Sequence, residues 1–325
     1  MILAGDIGGT KTHLALYESG APPRSPVVAR RLPSRAYPSC EALVHDFLSG
    51  TGARPDRATI GVAGPVVDQR VDTTNLPWQV SGAALQAELG GAGVRLLNDL
   101  EATAWGLDLL DGDETETLRA GVPLPGNRAL IAAGTGLGEA LLIHEGTGWR
   151  PSASEGGHTD FGPRDALEDE LLGWLRARHG RVSYERILSG PGLADLYRFL
   201  AATGRGEANP EVARRFESGA DPGVVVSEAA LDGSCARARL ALERFVSIYG
   251  AEAGNLALKA LALNGVFLGG GIAPRILPCL RDGAFLEAFT NKGRLRPVLE
   301  RIPVRVVRDD RAALWGAARI AQAGL

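Results

Sequence analysis

Apolar and polar residues alternate along the first part of the chain in the way typical of short strands and helices. The apolar segment 2–6, the pair Gly8-Gly9 and the alternating segment 11–17 predict two strands joined by a glycine turn. Apolar residues on one face behind a serine predict a helix over 39–48. Further strands are predicted over 27–32, 58–63, 66–74 and 93–98, and further helices over 81–89 and 101–110.

A second cycle of the same kind begins near Arg128. The apolar segments 129–133 and 139–144 enclose the turn 134–138, which repeats the opening pattern of strand, glycine turn with threonine, and strand. Beyond 164 the chain is mainly helical, with helices predicted over 165–179, 194–202, 210–217, 227–231, 234–263, 274–280 and 311–323, and strands over 266–268 and 304–307. This pattern predicts two α/β lobes that face each other across a ligand-binding cleft.

Composition and charge are those of a protein with two apolar cores. The 325 residues are 45% hydrophobic and 22% charged, a length and composition that suit two lobes. The net charge of -3 gives no basic surface for nucleic acid, and no apolar run approaches the ~18 residues of a membrane helix. Three scattered cysteines do not form a disulfide framework, and Asp6 comes too early for a signal peptide. We therefore expect a cytoplasmic protein that binds neither membrane nor nucleic acid.

Three glycine turns are candidate sites for a phosphorylated ligand. The backbone N–H groups of Gly8 and Gly9 and the Thr10 hydroxyl can bind an anion, and Asp6 could hold magnesium through water. The turn 134–138 repeats this chemistry, and three consecutive glycines at 269–271 leave room for a flat ring such as that of adenosine. Each turn alone is also explained by a hairpin or by a strand-to-helix connection. Three in one chain favour a nucleotide.

Polar residues at two other places are candidates for catalysis or binding. Asp99 stands where an apolar strand ends and a helix begins, so it either caps that helix or accepts a proton from an attacking hydroxyl. Glu155 and His158 flank two glycines in a loop, where their side chains could converge on one small polar ligand. An isolated histidine is more often structural, so both explanations stay open at this point.

Seven stretches together resemble the bacterial glucokinase family in their order and spacing. The most specific are SEGGHTDFGP and ERILSGPGL, whereas the N-terminal DIGGTK is shared by many sugar kinases. The stretches are LAGDIGGTK (3–11), GVAGPV (61–66), LLNDLEA (96–102), AAGTGLGEA (132–140), SEGGHTDFGP (154–163), ERILSGPGL (185–193) and FLGGGIAPR (267–275).

The resemblance implies the fold, the reaction and the assembly. The fold would be the two-lobed actin-like ATPase (ribonuclease H-like) α/β fold, with a small lobe of residues 1–108 plus 308–325 and a large lobe of residues 109–307. The reaction would be transfer of the ATP γ-phosphoryl group to the 6-hydroxyl of glucose. Members of this family are usually homodimers, so a homodimer is implied as well.

The resemblance also implies a role for each motif residue. Asp99 would be the catalytic base, and it would share the binding of the sugar with Asn98, Glu155, His158 and Glu185. Magnesium would be brought with the nucleotide. The residues implied to bind ATP are Asp6, Gly8, Gly9, Thr10, Lys11, Gly134, Thr135, Gly136, Gly270 and Gly271.

One residue departs from the usual pattern of the family. Many glucokinases have asparagine after the GGT, where this chain has Lys11, and GGTK also occurs in the repressor–open-reading-frame–kinase (ROK) family. Members of that family often hold zinc with a cysteine cluster, but no cysteine lies between Cys40 and Cys235. The sequence therefore predicts no protein-bound metal site. Two alternatives remain: a kinase for another hexose such as mannose, fructose or an amino sugar, and a non-catalytic sugar-sensing regulator.

Overall fold

The computed structural model describes residues 1–73 and 76–324 of the chain. The strands are β1 (Ile2–Ile7), β2 (Lys11–Tyr17), β3 (Val28–Pro33), β4 (Arg57–Val62), β5 (Arg70–Asp72), β6 (Gln79–Ser81), β7 (Gly93–Asn98), β8 (Thr115–Arg119), β9 (Arg128–Ala133), β10 (Leu137–Glu145), β11 (Gly148–Ser154), β12 (Gly265–Gly269) and β13 (Val304–Val307).

The helices alternate with these strands and dominate the second half of the chain. They are α1 (Cys40–Ser49), α2 (Gly82–Glu88), α3 (Asp99–Gly106), α4 (Ala166–His179), α5 (Gly190–Ala202), α6 (Pro210–Glu217), α7 (Pro222–Leu231), α8 (Ala236–Ala260), α9 (Ile272–Arg275), α10 (Leu277–Arg281), α11 (Ala284–Thr290), α12 (Arg296–Leu299) and α13 (Ala312–Ala323). Within residues 1–73 and 76–324, no helix is both long and apolar enough to cross a membrane.

The backbone forms two compact units. Unit 1 comprises Met1–Glu114, Arg150–Ala153 and Asp309–Leu325, and unit 2 comprises Thr115–Trp149 and Ser154–Arg308.

These units differ from the predicted lobes chiefly at residues 109–114 and at Arg150–Ala153, all of which belong to unit 1. The first difference has a local cause, because the Arg24 guanidinium of unit 1 binds this segment. It donates to the Leu109 carbonyl oxygen (2.9 Å) and pairs with the carboxylates of Asp111 (2.5 Å) and Glu114 (2.7 Å).

Unit 1 is built on a five-stranded sheet in the order β3-β2-β1-β4-β7. Strand β1 is antiparallel to β2 and parallel to β4, and β4 is parallel to β7, so the ends of β1, β4 and β7 lie at one edge. Leu3 and Ile7 face a core that includes Leu43 and Phe47 of α1. Alternate residues face α13 instead, so the sheet is buried on both faces.

Helix α3 follows β7 and lies directly against α13. At Gly106 and at Gly316, one on each helix, an added Cβ would overlap the backbone of the other helix. The two helices therefore approach more closely than larger side chains would allow. The contact lies at the middle and the end of α3, the helix that begins at Asp99.

Unit 2 is built on five strands that are neighbours in the order β10-β9-β12-β13-β8. Its hairpin β9–β10 encloses the second glycine turn, and β12 is parallel to β9 and β13. The 25-residue helix α8 carries much of the core. In it Tyr249 makes edge-on contacts with Phe245 (ring centroids 6.0 Å apart) and Phe285 (5.6 Å).

Most predicted elements are confirmed. Strands β2, β7 and β13 and helix α6 have the predicted bounds, and Ser39 caps α1 by accepting a hydrogen bond from the Ala42 backbone N–H (3.2 Å). The predicted helix 234–263 is confirmed as α8, although it ends earlier, at Ala260.

Other predicted elements are wrong in extent, and the helix predicted over 227–231 begins earlier, at Pro222, as part of α7. The strand predicted over 66–74 is reduced to β5, because Asp68 and Gln69 have positive φ angles of 49° and 57° that break an extended chain; its last residue, Thr74, lies outside the described residues. The helix predicted over 274–280 is two short helices, α9 and α10, that meet at Ile276, two residues before Pro278.

Candidate active site

The first glycine turn joins β1 and β2, and Ser34 donates two hydrogen bonds to it. The Gly8 N–H donates to the Lys11 carbonyl oxygen (3.0 Å), and the Ser34 hydroxyl donates to the Gly8 carbonyl oxygen (2.7 Å). The Ser34 N–H also donates to the Thr10 carbonyl oxygen (3.1 Å). Because these carbonyls are engaged, the turn has a fixed shape. Thr10 and Lys11 are exposed, Gly9 is half-buried, and this predicted phosphate-binding segment is the tip of a hairpin.

Two other aspartates of unit 1 act on the carboxyl group of Asp6. Asp6 lies at the end of β1, and burial together with the nearby Asp99 and Asp310 raises the pKa of its carboxyl to about 7. A divalent cation close to these carboxylates would favour their ionised forms, so the electrostatics fit magnesium. Among residues 1–73 and 76–324, however, no three His, Cys, Asp or Glu side chains are grouped closely enough to bind one ion directly. This arrangement fits a magnesium ion held through water and by the nucleotide.

Asn98, rather than Asp99, caps helix α3. Its Oδ1 accepts hydrogen bonds from the N–H groups of Leu100 (2.9 Å) and Glu101 (3.3 Å), and its Nδ2 donates to the Gly64 carbonyl oxygen (3.1 Å). The capping role considered for Asp99 is therefore filled by its neighbour. Asp99 is the first residue of the helix, and its Oδ1 accepts a hydrogen bond from the Leu100 N–H (2.9 Å).

The second glycine turn, between β9 and β10, belongs to unit 2. The Gly134 N–H donates to the Gly136 carbonyl oxygen (2.8 Å), and the Gly190 N–H at the start of α5 donates to the Gly134 carbonyl oxygen (2.9 Å). Helix α5 is capped by Ser189, whose Oγ accepts from the Gly192 N–H (3.1 Å). The turn and the positive end of a helix dipole are thus adjacent, an arrangement that favours an anion.

A cavity of about 570 Å³ opens beside this turn, within unit 2. Gly134, Thr135 and Gly271 line it, so the second and third glycine turns meet at one cavity. Gly270 has a φ of +79°, and a Cβ there would overlap the Ala133 carbonyl oxygen, so only glycine fits. Gly270 shapes the wall without being part of the lining, and the volume suits a nucleoside.

Charged side chains from three helices also line this cavity, and sequence analysis missed them. They are Arg198 of α5, Asp221 before α7 and Arg275 of α9. Asp221 caps α7 by accepting from the N–H groups of Gly223 (2.9 Å) and Val224 (3.2 Å). The pair Asp221-Pro222 is a helix-start signal, but this helix was predicted to begin only at 227, and nothing local shows that it begins at a cavity.

Glu155, His158 and Glu185 come together in unit 2. His158 Nε2 is 4.0 Å from Glu155 Oε2, and His158 Nδ1 is 3.9 Å from Glu185 Oε1. The side chains of Glu155 and His158 are 53% exposed and that of Glu185 is 30% exposed, so all three are open to a solute. They combine two carboxylates that accept hydrogen bonds with an imidazole that donates and accepts, which suits vicinal hydroxyl groups.

Glu185 also contacts the second glycine turn. Its Oε2 accepts a hydrogen bond from the Leu137 backbone N–H (3.0 Å), directly after Gly136. The turn 134–136 therefore has the polar cluster at one end and the nucleoside-sized cavity at the other. A ligand in the cavity and a ligand at the cluster would meet at this turn.

Comparison with known proteins agrees with this geometry. The sequence model for the family described as Glucokinase matches residues 3–324. A glucokinase of Nostoc sp. (strain PCC 7120) is 40% identical over 334 residues, covering 98% of each chain. Among solved structures, the glucokinase of an Antarctic psychrotroph has a TM-score of 0.82 at 32% identity, covering 99% of this chain and 98% of its own.

A more distant structure shares the fold. The ROK-family glucokinase of Streptomyces griseus has a TM-score of 0.66 at 22% identity, covering 99% of both chains. The protein therefore has the two-lobed actin-like ATPase fold predicted from the sequence. The family match over nearly the whole chain and the 40% identity decide between the glucokinase family and the ROK family. The chain belongs to the glucokinase family.

Proposed function

We propose that this protein transfers the γ-phosphoryl group of ATP to the 6-hydroxyl of glucose, with Asp99 as the general base. Membership of the glucokinase family supports the reaction. The observation that carries the proposal is the second glycine turn, because Glu185 and His158 lie at one end of it and the 570 Å³ cavity at the other. A sugar and a nucleotide bound at these places would have the γ-phosphoryl group between them.

The chemistry needs a base and precise alignment. A sugar hydroxyl is hardly ionised at neutral pH, so a carboxylate that takes its proton as the new bond forms lowers the barrier. Asp99 is the first residue of α3, and the N-cap of that helix is its neighbour Asn98. Most of the remaining acceleration comes from alignment and from the fixed N–H groups of the glycine turns, which stabilise charge on the transferring phosphoryl group.

The sugar contacts follow from donor and acceptor chemistry. Glu155 and Glu185 accept hydrogen bonds from sugar hydroxyls, and His158 both donates and accepts. Asn98 has a narrower role, because its Oδ1 already accepts two backbone hydrogen bonds. One of its two amide hydrogens goes to Gly64, so the other is what it can offer to a hydroxyl.

The donor is proposed to be ATP with magnesium. The related Streptomyces griseus structure is a complex with glucose and AMPPNP, a likeness that supports ATP as the donor. In this chain Gly8, Gly9, Thr10 and Lys11 would bind phosphate oxygens with Gly134, Thr135 and Gly136, and Gly270 and Gly271 would border the adenosine. Magnesium, brought with the nucleotide, neutralises phosphate charge, and Asp6 would hold it through water.

Two finer proposals rest on the family alone. We propose that the protein is a homodimer and that it works in the cytoplasm. Sedimentation equilibrium of the purified protein tests the first, and a monomer at all accessible concentrations would contradict it.

A sugar panel tests the proposed reaction. The purified protein is incubated with magnesium-ATP and glucose, mannose, fructose or an amino sugar, and ADP release is measured for each. We expect the highest kcat/KM with glucose. A higher value with another hexose would change the substrate, and binding of sugar without ADP release would indicate a sensor.

A further inference from the structure

A buried pair of carboxyl groups lies behind the proposed sugar-binding loop of unit 2. Glu139 stands on β10, three residues after Gly136, and is 1% exposed. Glu252 of α8 is 0% exposed and interacts with it through a side-chain hydrogen bond. Neither residue belongs to the catalytic or binding groups described above, and burying two acidic groups together is costly.

Glu139 supports the backbone of the loop. Gly156, between Glu155 and His158, lies so close to Glu139 that an added Cβ would overlap the carboxyl oxygen Oε2. The Gly156 N–H donates to Ser154 Oγ (3.0 Å) on the same side. The Glu139 carboxyl therefore packs against the turn between Glu155 and His158. A movement of that carboxyl would displace the turn and with it both side chains.

The proton of the pair belongs on Glu139. Glu252 receives hydrogen bonds from Asn255 Nδ2 (2.8 Å) and from the Lys259 ammonium (3.2 Å). Glu139 Oε1, by contrast, is buried and has no hydrogen-bonding partner among residues 1–73 and 76–324. Burial and the neighbouring Glu252 raise the pKa of Glu139 to about 8.

We propose that Glu139 is a positioning residue for sugar binding, which holds Gly156 in place while it is neutral and releases it when it ionises. The proposal rests on the proposed role of Glu155 and His158. An ionised Glu139 carboxyl, buried beside Glu252 and without a partner at Oε1, is costly, so ionisation drives the two carboxyl groups apart and moves Glu139 against Gly156. Glu155 and His158 then lose their spacing, and the affinity for the sugar falls while the phosphate-binding turns are unchanged.

Other titratable groups surround the pair, and their effects on the pH dependence of sugar binding must be distinguished from that of Glu139. Burial lowers the pKa of Lys292 to about 8, and its ammonium donates to Asn255 Oδ1 (2.5 Å). Lys292 therefore titrates in the same range as Glu139 and needs its own control. The charged and titratable groups around Glu139 are Glu252, Lys259 and Tyr249 of α8, with Tyr184 and Lys292 beyond them.

The test is the KM for glucose as a function of pH at saturating magnesium-ATP, for the wild type, Glu139→Gln and Lys292→Gln. If only the form with neutral Glu139 binds sugar, the wild-type KM rises about tenfold one pH unit above the Glu139 pKa. Glu139→Gln cannot ionise, so its KM should stay flat over that range, with the kcat of the wild type. Lys292→Gln should keep the rise, and the KM for ATP should not depend on residue 139.

Several outcomes would overturn the inference. A wild-type KM that stays flat, a rise that persists in Glu139→Gln, or a rise lost only in Lys292→Gln would each do so. If Glu139→Gln folds poorly, Glu139→Met is a second uncharged variant for the same test. If neither variant folds, the pH dependence of the wild-type KM for glucose still decides, because a flat profile contradicts the inference. The shift in melting temperature caused by glucose supplies the same comparison without activity.

The inference and the proposed function fail in different ways. If His158→Ala raises the KM for glucose at neutral pH but Glu139→Gln keeps the wild-type profile, the sugar loop stands and the role of Glu139 is wrong. If the wild type phosphorylates no sugar in the panel, the proposed function itself is wrong.

Discussion

Glu185 offers a direct test of how the site combines binding with structure. Its Oε2 holds the Leu137 backbone N–H (3.0 Å), and its Oε1 faces His158 (3.9 Å). Glu185→Gln keeps an oxygen for Leu137 but removes the negative charge from the sugar side. We expect the KM for glucose to rise about five- to a hundredfold, corresponding to the ~1–3 kcal/mol of one lost charge-assisted hydrogen bond. The preference for glucose over mannose in kcat/KM should shrink.

The stability of two variants separates this effect from a structural one. Glu185→Ala leaves the N–H of Leu137, a residue 5% exposed, without an acceptor and should cost ~1–3 kcal/mol. Since each kcal/mol lowers the melting temperature of a domain of this size by ~2–4 °C, the loss is measurable by calorimetry. Glu185→Gln should cost less than half of that. A matched control is Glu170→Gln, which removes an exposed partner of Arg205 in the same unit.

One pattern of results would refute this reasoning. If Glu185→Gln lowers the melting temperature as much as Glu185→Ala and leaves both the KM and the ratio of glucose to mannose unchanged, Glu185 only supports the turn. The assignment of the sugar would then depend on family membership alone.

Three further predictions concern the base, the nucleotide and metal. Asp99→Asn should lower kcat by ~10²–10⁴ and leave glucose binding within a few fold by calorimetry, because asparagine keeps the Oδ1 that accepts from Leu100; wild-type turnover would refute the assignment. Gly270→Ala should raise the KM for ATP or lower the melting temperature, because its Cβ would overlap Ala133, whereas Gly271→Ala has open space and should do less; equal effects would contradict this. Elemental analysis should find no stoichiometric zinc, since among residues 1–73 and 76–324 no three His, Cys, Asp or Glu side chains are grouped to hold one ion; one zinc per chain would contradict this.

Local patterns predicted much of the fold. The first hairpin, the cap at Ser39 and the strand that ends at Asn98 depend on turn residues, capping residues and apolar runs that are close in sequence. Strand β8 (Thr115–Arg119) was missed because its residues, TETLR, have no apolar period. It forms only because β13 pairs with it at the edge of the sheet.

The site was predicted less completely, because tertiary packing decides which residues meet. Glu155 and His158 were candidates from their own loop, but Glu185 entered only through resemblance, and no local signal places it at the second glycine turn. Asp310 escaped notice although, like Asp6 and Asp99, it stands near the end of a strand. Glu139 looks in the sequence like one polar residue in an apolar strand, and its importance appears only with Glu252 and Gly156 beside it.

The close contact between α3 and α13 has a consequence for biosynthesis. Helix α13 is made after all of unit 2, yet it supplies one neighbour of the helix that begins at Asp99. Unit 2 is nearly continuous in sequence and can fold while the ribosome is still at work, whereas unit 1 waits for the last helix. A chain that stops before Ala312 would therefore keep the residues that line the 570 Å³ cavity but lack α13, the helix that packs against α3. Premature termination would therefore remove the packing partner of the helix that begins at Asp99 and leave the sequence of unit 2 intact.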